Sequence, residues 1–515
     1  MIVGVATMLS RLLGFARDVL IARLLGAGPV ADAFLAALRL PNLVRRVLGE
    51  GGLNAPFVPL YLAIKEESGD AEAKRFAGEA LGQFALLLLV LVGLGELFAP
   101  WIVLGLAGGF AGEPATLALA ADYTRMMLPF LLLTTLAAML AAMLNAERRF
   151  AMAALAPALM NAILIVVLLA QLLQGTEPAL AARWQAIAVS ATGLAHLALV
   201  LMALRRIGLP RPRLSWSPAM TRLVTTGGAT LLAASSAQLV LLVATQIAST
   251  EPGAVSALYY ADRLFQLPLG FVGVAMGTVV LSDMARARSA ENDAMLGQAL
   301  SLGLALALPA AIALIVLAQP IVSVLFEHGR FDADDRDRTA AALAGFAAGL
   351  PFAVVAKVFA QVYFARQRPR LPLLTGCLAV VVAAATGLAL ARDGNAAAMA
   401  ALAASVAFAV QAIVLGAVLA SEGLWRPGSA LRTLARTALA SLLMLALLSW
   451  LQPLLAPAMA RDQPTLWRAA ALALLCIAGL AGYGAAGLLS GAFGPRILPR
   501  FPTRFLPSPL RNRRG

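Results

Sequence analysis

Long apolar stretches recur along the whole chain and are separated by short polar connections. A helix of about 20 apolar residues is long enough to cross the hydrocarbon core of a membrane. The pattern predicts about fourteen such helices. They lie at residues 2–24, 29–48, 78–106, 115–145, 151–173, 183–204, 220–248, 254–284, 295–326, 339–365, 371–391, 396–421, 430–451 and 467–491.

The composition supports the same interpretation. The chain is 61% hydrophobic and only 13% charged, whereas a soluble domain carries about 25% charged residues. We expect the first segment to be a helix of the mature protein and not a cleavable signal peptide, because it keeps its charges and lacks a clear cleavage site. We therefore predict an all-α polytopic membrane protein.

The basic residues are distributed asymmetrically between the connections. Of the 40 Lys and Arg residues, 24 lie in one set of alternate connections and only 7 in the other. The positive-inside rule then predicts that both termini are cytoplasmic. The net charge of +14 is accounted for by this asymmetry, so it does not indicate a nucleic-acid partner.

Matching motifs recur about 220 residues apart, which indicates an internal repeat. The matched residues are Pro100 and Pro320, Pro129 and Pro351, and Arg39 and Arg263, together with the segments 146–149 and 365–368. One period covers six predicted helices, an even number, so the two six-helix repeats are predicted to be parallel. A site is expected where such halves meet, near the middle of the membrane.

The repeat divides the chain into four regions. The last two predicted helices fall outside it as an additional pair, followed by a basic cytoplasmic tail. The predicted regions are 1–215, 216–425, 426–495 and 496–515.

Nine of the basic residues lie inside predicted membrane helices. A charge at the bilayer centre costs about 2.5–3.5 kcal/mol on insertion scales, so such residues normally face a partner or a water-filled cavity. The nine are Arg11, Arg17, Arg23, Arg39, Arg45, Arg46, Arg125, Arg263 and Lys357, and the first six of them fall within the first 46 residues.

The spacing groups some of these charges on common faces. Asp32, Arg39 and Arg46 recur at intervals of seven, which places them on one stripe of a helix, and Glu50 would extend that stripe if the helix persisted. Arg11 and Asp18 are likewise seven apart.

The intramembrane charges have two interpretations. They could simply pair with one another, with Asp18, Asp32 and Asp262 each neutralising an arginine. Arginine outnumbers the acids, however, and its guanidinium suits the oxygens of phosphate. We therefore predict a cavity for an anion, with phosphate or diphosphate as the best fit. Arg23 is expected at the membrane interface, and the roles of Arg125 and Lys357 stay open.

Nothing in the sequence indicates catalysis. Cys377 and Cys476 both lie in apolar spans, and neither histidine has metal-ligand spacing. No nucleotide-binding loop or catalytic triad pattern occurs. We predict no enzyme, no cofactor and no metal.

Several stretches resemble the MurJ (MviN) family of lipid II flippases, in the multidrug/oligosaccharidyl-lipid/polysaccharide exporter superfamily. The resemblance covers nearly the whole chain and is most specific in the N-terminal block. The stretches are residues 10–18, Asp32-Ala33-Phe34, Pro41-Asn42, Arg45-Arg46, Glu50-Gly51, residues 57–59, residues 259–263, Pro268, Gly270, Gly273, Gly277-Thr278, Lys357 and residues 363–367.

The resemblance implies a fourteen-helix flippase with MATE-like lobes in the bacterial inner membrane. Its substrate would be lipid II, the undecaprenyl-diphosphate-linked disaccharide-pentapeptide of peptidoglycan synthesis, with membrane lipids and other cell-wall synthesis proteins as further partners. By position, family arginines of the central cavity that are expected to bind the diphosphate match Arg11, Arg17, Arg263 and either Arg45 or Arg46, and we predict all five as substrate-binding. Asp32 matches an important acidic position, and the additional pair would hold the polyprenyl tail.

The sequence departs from the family pattern in two places, and two alternative functions stay open. Residues 368–370 differ from the usual family loop, and the predicted seventh and eleventh spans lack the carboxylates through which some relatives bind sodium. A cation-coupled exporter of drugs or of other polyprenyl-linked sugars shares the superfamily fold, although a cationic-drug site favours carboxylates and aromatics over surplus arginine. A membrane scaffold that recruits cell-wall proteins is the non-transport alternative.

Overall fold

A computed structural model describes residues 2–47, 54–205, 207–234, 236–279, 289–366, 368–392, 394–426 and 428–492. This part of the chain forms eighteen α-helices and two short 3₁₀ helices, with no strand. The α-helices are α1 (Ile2–Leu25), α2 (Pro29–Val47), α3 (Asn54–Ser68), α4 (Asp70–Leu97), α5 (Ala99–Leu106), α6 (Pro114–Ala146), α7 (Phe150–Gln174), α8 (Pro178–Leu204), α9 (Pro218–Ala234), α10 (Ser236–Ala248), α11 (Ala254–Val279), α12 (Ser289–Val316), α13 (Ala318–Phe326), α14 (Ala333–Ala365), α15 (Arg370–Leu390), α16 (Ala396–Ser421), α17 (Gly428–Leu455) and α18 (Thr465–Leu489).

Every predicted span contains helix, but not every one meets the length and hydropathy of a membrane crossing. Ten helices of the described chain are long and apolar enough. The predicted spans outside these ten are α1, α2, the α9–α10 pair and α11. Three of them carry intramembrane charges, and α9 and α10 are only 17 and 13 residues long. The all-α membrane fold is confirmed, while the count of fourteen stays a prediction.

The internal repeat is visible in the helix contacts. In the first repeat α6 is central and contacts α2, α4 and α8, while α7 packs on α1. In the second repeat α14 is central in the same way and contacts α11, α12 and α16, while α15 packs on α10. We call α1–α8 the N-terminal lobe and α9–α16 the C-terminal lobe. Helices α17 and α18 pack on each other and on α12 and α13, outside the repeat. The exact domain boundaries stay predictions.

The prolines of the repeat mark matching helix breaks. Helix α4 ends before Phe98, and α5 starts again with Pro100 in its first turn. In the second repeat α12 ends before Leu317, and Pro320 lies in the first turn of α13. Proline is tolerated there because the first N–H groups of a helix have no intrahelical partner.

Small residues bring the helices of the C-terminal lobe close together. A Cβ added at Gly349 would lie 2.6 Å from Ser405 Cβ, and the Ser405 hydroxyl donates to the Gly345 carbonyl at 2.6 Å. Such close backbone approach is typical of helix packing in membranes. It fixes α14 against α16 and so gives α11 a rigid surface on α14.

Candidate functional site

Two arginines share one aspartate where the lobes meet. Helix α1 supplies Arg17 and Asp18, and α11 supplies Arg263. Arg17 donates to Asp18 Oδ1 from Nε at 3.0 Å and from Nη2 at 2.6 Å. Arg263 Nε lies 3.1 Å from Asp18 Oδ2. Each carboxylate oxygen therefore faces a guanidinium from a different lobe.

The hydroxyl of Tyr259 joins the two arginines. It accepts from Arg263 Nη2 at 2.6 Å and from Arg17 Nη2 at 3.5 Å, and it donates to Asp18 Oδ1 at 3.3 Å. Tyr259 and Arg263 are four residues apart and thus share one face of α11. The Arg263 guanidinium also lies over the Tyr259 ring, 4.4 Å from its centroid. The tyrosine holds Arg263 in place without neutralising it.

Asn161 is a member of this cluster that the sequence analysis missed. From α7 it accepts from Arg17 Nη1 at 3.0 Å, and its amide nitrogen donates to the Ser10 carbonyl at 3.0 Å. It is buried in α7, as is a second amide, Gln171. An amide in a predicted membrane span is the signal that could have drawn attention to it.

The cluster keeps a surplus positive charge. Arg17 and Asp18 are only 4% and 2% exposed, and Arg263 is half-buried. Two guanidinium groups face a single carboxylate, which leaves one positive charge in a site of low dielectric. An anion that reached these arginines would be attracted strongly because solvent screening there is weak.

A small cavity of about 30 Å³ lies beside the cluster. Arg39 of α2 and Arg263 of α11, which match in the repeat, both line it, as do Asn42, Gln238 and Asp262. Tyr259 and three leucines complete the wall. The predicted site between the lobes therefore combines one arginine from each repeat.

Asp262 is buried in the wall of this cavity. Its Oδ2 accepts from the side chain of Gln266, whereas Oδ1 has no hydrogen-bond partner among the described residues. Neither Arg17 nor Arg263 forms an ion pair with it in this part of the chain. The cavity thus contains one acidic group beside its cations.

Arg11 lies at the interface through contact with a glycine. A Cβ added at Gly270 of α11 would stand 2.3 Å from Arg11 Nη1, so the missing side chain leaves room for the guanidinium. Arg11 itself is exposed. It is therefore close to the C-terminal lobe but more open to solvent than Arg17.

The remaining predicted residues have different surroundings. Arg45 and Arg46 lie on α2, but their side chains, like the whole of Glu50, are outside the described residues. Arg125 pairs with Asp122 at 3.0 Å and donates to the Glu96 carbonyl at 3.2 Å, and it does not line the cavity. Lys357 is exposed on α14, and Arg23 is exposed near the end of α1.

Asp32 caps a helix of the opposite lobe and does not line the described cavity, so its predicted role in the cavity or in coupling stays a prediction. Its Oδ2 accepts from the Gly253 N–H at 2.6 Å, and its Oδ1 accepts from the Ser256 N–H at 2.8 Å and hydroxyl at 2.6 Å. Helix α11 begins at Ala254, so the carboxylate also meets the positive end of its dipole. The physical reason is that unpaired N–H groups compete well with cations for a buried carboxylate.

Further hydrogen bonds join the lobes around Asp32. Asp335 accepts from the Ala27 N–H at 3.0 Å, and the Tyr260 hydroxyl donates to the Gly26 carbonyl at 3.0 Å. Gln246 accepts from the Gly108 N–H at 2.6 Å, and Ser249 accepts from the Gly109 N–H at 2.8 Å. We call these contacts, with those of Asp32, the latch.

Two glycines permit the close approach of backbones in the latch. Gly26 and Gly253 both have positive φ, +70° and +80°. A Cβ at Gly26 would lie 2.7 Å from the Arg330 carbonyl, and one at Gly253 would lie 2.8 Å from the Ala27 carbonyl. Both the conformation and the space therefore exclude larger residues.

Comparison with solved structures identifies the class of protein. A lipid II flippase MurJ in an inward closed conformation matches with a TM-score of 0.80 at 23% identity, covering 95% of this chain and 99% of that one. An inward-facing MATE family multidrug transporter matches with a TM-score of 0.64 at 16% identity, covering 81% and 95%. Fold and lobe interface together define a multi-pass membrane protein with the two-lobed fold that these two structures share.

The sequence comparison then gives the family. The model of the lipid II flippase MurJ family matches residues 21–460, so the chain belongs to this family. A probable lipid II flippase MurJ of Rhizobium meliloti is 41% identical over 432 residues, covering 82% of this chain and 80% of that protein. The corresponding protein of Rhizobium tropici is 34% identical over 525 residues, with 98% and 96% covered. The lipid II flippase MurJ of Burkholderia cenocepacia is 34% identical, with 71% and 73% covered.

Proposed function

We propose that this protein moves lipid II from the inner to the outer leaflet of the bacterial inner membrane, without changing it covalently. Family membership supports the substrate. The observation that carries the proposal is the cluster of Arg17, Asp18 and Arg263, which joins the two lobes beside a cavity. It supplies the surplus positive charge that a diphosphate lipid requires.

The diphosphate would bind by drawing guanidinium groups away from Asp18. Arg263 is the arginine best placed to bind the diphosphate, because it belongs to the cluster and also lines the cavity together with Arg39. Bidentate hydrogen bonds from arginine to phosphate oxygens are stronger than neutral ones. Asp18 would hold both arginines in position until the substrate arrives and would keep Arg17 afterwards.

Transport would proceed by alternating access. The latch lies on the side whose connections are poor in Lys and Arg, which the positive-inside rule assigns to the periplasm, with both termini cytoplasmic. A closed latch therefore corresponds to a state that accepts substrate from the cytoplasm. The cavity of about 30 Å³ has room for only about two water molecules, so the lobes must separate on the cytoplasmic side before the diphosphate or the disaccharide-pentapeptide can enter.

The polyprenyl tail would stay in lipid along α17 and α18. This pair is anchored to the C-terminal lobe by buried Arg468 of α18, which donates to the Ser323 hydroxyl at 2.9 Å and carbonyl at 2.8 Å. The division spares the protein from passing a long apolar chain through a charged cavity.

A cation-coupled exporter of drugs is the rival that shares this fold. Its substrate would have to enter a cavity lined by Arg263, beside a cluster in which Arg17 and Arg263 share the single carboxylate of Asp18. Like-charge repulsion in a weakly screened site opposes that. The charge of the site therefore favours the lipid-linked anion.

Reconstitution in liposomes tests the proposal. The purified chain should translocate labelled lipid II, measured by the accessibility of the label to an external reagent. Unlabelled undecaprenyl diphosphate should compete, whereas undecaprenol and a lipophilic cation should not. Absence of translocation by correctly inserted protein, or competition by the lipophilic cation alone, would overturn it.

A further inference from the structure

The linker between the lobes is fastened to the N-terminal lobe. Residues 208–217, which we call the strap, connect α8 to α9 and run without helix along the first turns of α4. The Arg213 N–H donates to the Gly78 carbonyl at 2.9 Å, and the Gln83 amide donates to the Ser215 carbonyl at 3.1 Å. The Ser215 hydroxyl donates to Glu79 at 2.7 Å.

Two glycines of α4 form the seat of the strap. A Cβ added at Gly78 would lie 2.2 Å from the Arg211 carbonyl, and one at Gly82 would lie 2.3 Å from the Arg213 carbonyl. The glycines are four residues apart and so share one helix face. The strap therefore has a defined position on the protein surface.

That position is at the edge of the lipid-facing surface. Ser215 is held beside Gln83, and the run of exposed apolar side chains on α4 begins one turn later with Leu86 and Leu87. In the strap itself, Leu214 is 67% exposed and Trp216 57%. The Trp216 indole N–H donates to the Thr221 hydroxyl at 2.8 Å, so the exposed ring has no unsatisfied polar group. Tryptophan in this setting is typical of the membrane–water interface.

The basic side chains around the strap lack acidic partners. Arg205, Arg211, Arg213 and Arg222 are all exposed, and residues 205–222 contain no Asp or Glu. None of the four forms an ion pair with another residue of the described chain. The neighbouring cations differ in this respect, since Lys74 pairs with Asp70 at 2.7 Å and Arg75 with Glu72 at 3.5 Å.

We propose that the strap is a docking surface for anionic phospholipids of the leaflet on its side of the membrane. Arg211 and Arg213 would bind the headgroup phosphates, while Leu214 and Trp216 enter the boundary between headgroups and acyl chains. Unpaired arginines beside exposed apolar side chains, on a backbone fixed at this depth, match the charge and polarity of such a surface. This surface is separate from the cavity between the lobes.

Quenching of Trp216 fluorescence tests the proposal. The full chain is placed in phosphatidylcholine nanodiscs containing 20% of a brominated lipid, either phosphatidylglycerol or phosphatidylcholine. The difference between wild type and Trp216→Phe isolates the signal of Trp216. Brominated phosphatidylglycerol should quench that signal several-fold more than brominated phosphatidylcholine, because each arginine near an anionic surface enriches such lipids by about five-fold. Raising the salt to 1 M should remove the preference.

A double variant identifies the residues responsible. Arg211→Gln with Arg213→Gln should quench equally with both lipids, whereas Arg75→Gln, which removes an already paired charge, should keep the preference. Equal quenching of the wild-type signal by both lipids would overturn the proposal. So would the absence of quenching by either lipid, which would leave the exposed face of the strap to a soluble partner.

Discussion

Two sets of buried carboxylates lie along the lobe interface, and they differ in what neutralises them. Asp32 and Asp335, in the latch, accept from backbone N–H groups of the opposite lobe. Asp18, in the cluster, is held by the guanidinium groups of Arg17 and Arg263. All three side chains are buried, yet their partners have different freedom to move.

Backbone partners make the latch depend on the position of the lobes. The N–H groups at the start of α11 cannot turn toward another ligand, so Asp32 is satisfied only while the lobes meet on that side. Arginine side chains can rotate toward an incoming anion while α1 and α11 stay in place. Aspartate thus makes a contact between the lobes in the latch and positions the arginines of the proposed substrate site in the cluster.

The largest effect is expected for Arg263→Ala. Removing this guanidinium should lower lipid II translocation about 100-fold. This loss corresponds to about 3 kcal/mol, the upper end of the range for a hydrogen bond to a charged group. The fold should survive because Asp18 keeps Arg17 as its partner. Translocation in liposomes and thermal unfolding in detergent measure the two quantities. Arg125→Ala is the control, since it removes a membrane arginine paired with Asp122, and an equal loss there would contradict a specific role for Arg263.

Asp32→Ala should act on the latch instead of on the substrate. Loss of its three hydrogen bonds should destabilise the closed latch by about 2 kcal/mol, which raises the open population about 30-fold. Spin labels at exposed Ala111 and Arg392, in a background with Cys377 and Cys476 replaced, would report the separation of the lobes on that side. An unchanged distance distribution would show that Asp32 does not hold the latch.

The apolar stretches, the internal repeat and the spacing of charged residues predicted the helices and the charges at the lobe interface. The spacing of seven correctly placed Asp32 and Arg39 on one face of α2, since both face α11. The repeat likewise matched Arg39 with Arg263, which line one cavity. These features depend on regular helix geometry, which local sequence determines.

Contacts between distant segments could not be predicted in this way. Whether Asp32 lines a cavity or caps a helix depends on where α11 begins in the other lobe. The pairing of Asn161 with Arg17 spans 144 residues, and the seat of the strap on Gly78 and Gly82 depends on where the linker returns. None of these contacts leaves a periodic signal in a single sequence.

Asn161→Ala should have a moderate effect on the cluster. Arg17 would lose one hydrogen bond but keep Asp18, so translocation should fall about five- to ten-fold, equivalent to about 1 kcal/mol. Gln171→Ala is the matched control on the same helix, because Gln171 is a buried amide that bonds only to residues of α8 among the described contacts. It should reduce thermal stability by a similar amount and leave the rate unchanged. Equal rates for the two variants would remove Asn161 from the site.

The smallest effect is expected for Asp335→Asn in the latch. The amide keeps one acceptor oxygen for the Ala27 N–H, but a neutral amide oxygen accepts more weakly than a carboxylate, so this hydrogen bond between the lobes is weakened. The open population reported by labels at Ala111 and Arg392 should rise about five-fold, equivalent to about 1 kcal/mol and less than for Asp32→Ala. The adjacent Asp334 is exposed and contributes no side-chain contact to the latch, so Asp334→Asn should leave the distances unchanged. If both variants opened the latch equally, the effect would come from net charge on that face, and backbone capping by Asp335 would not be its cause.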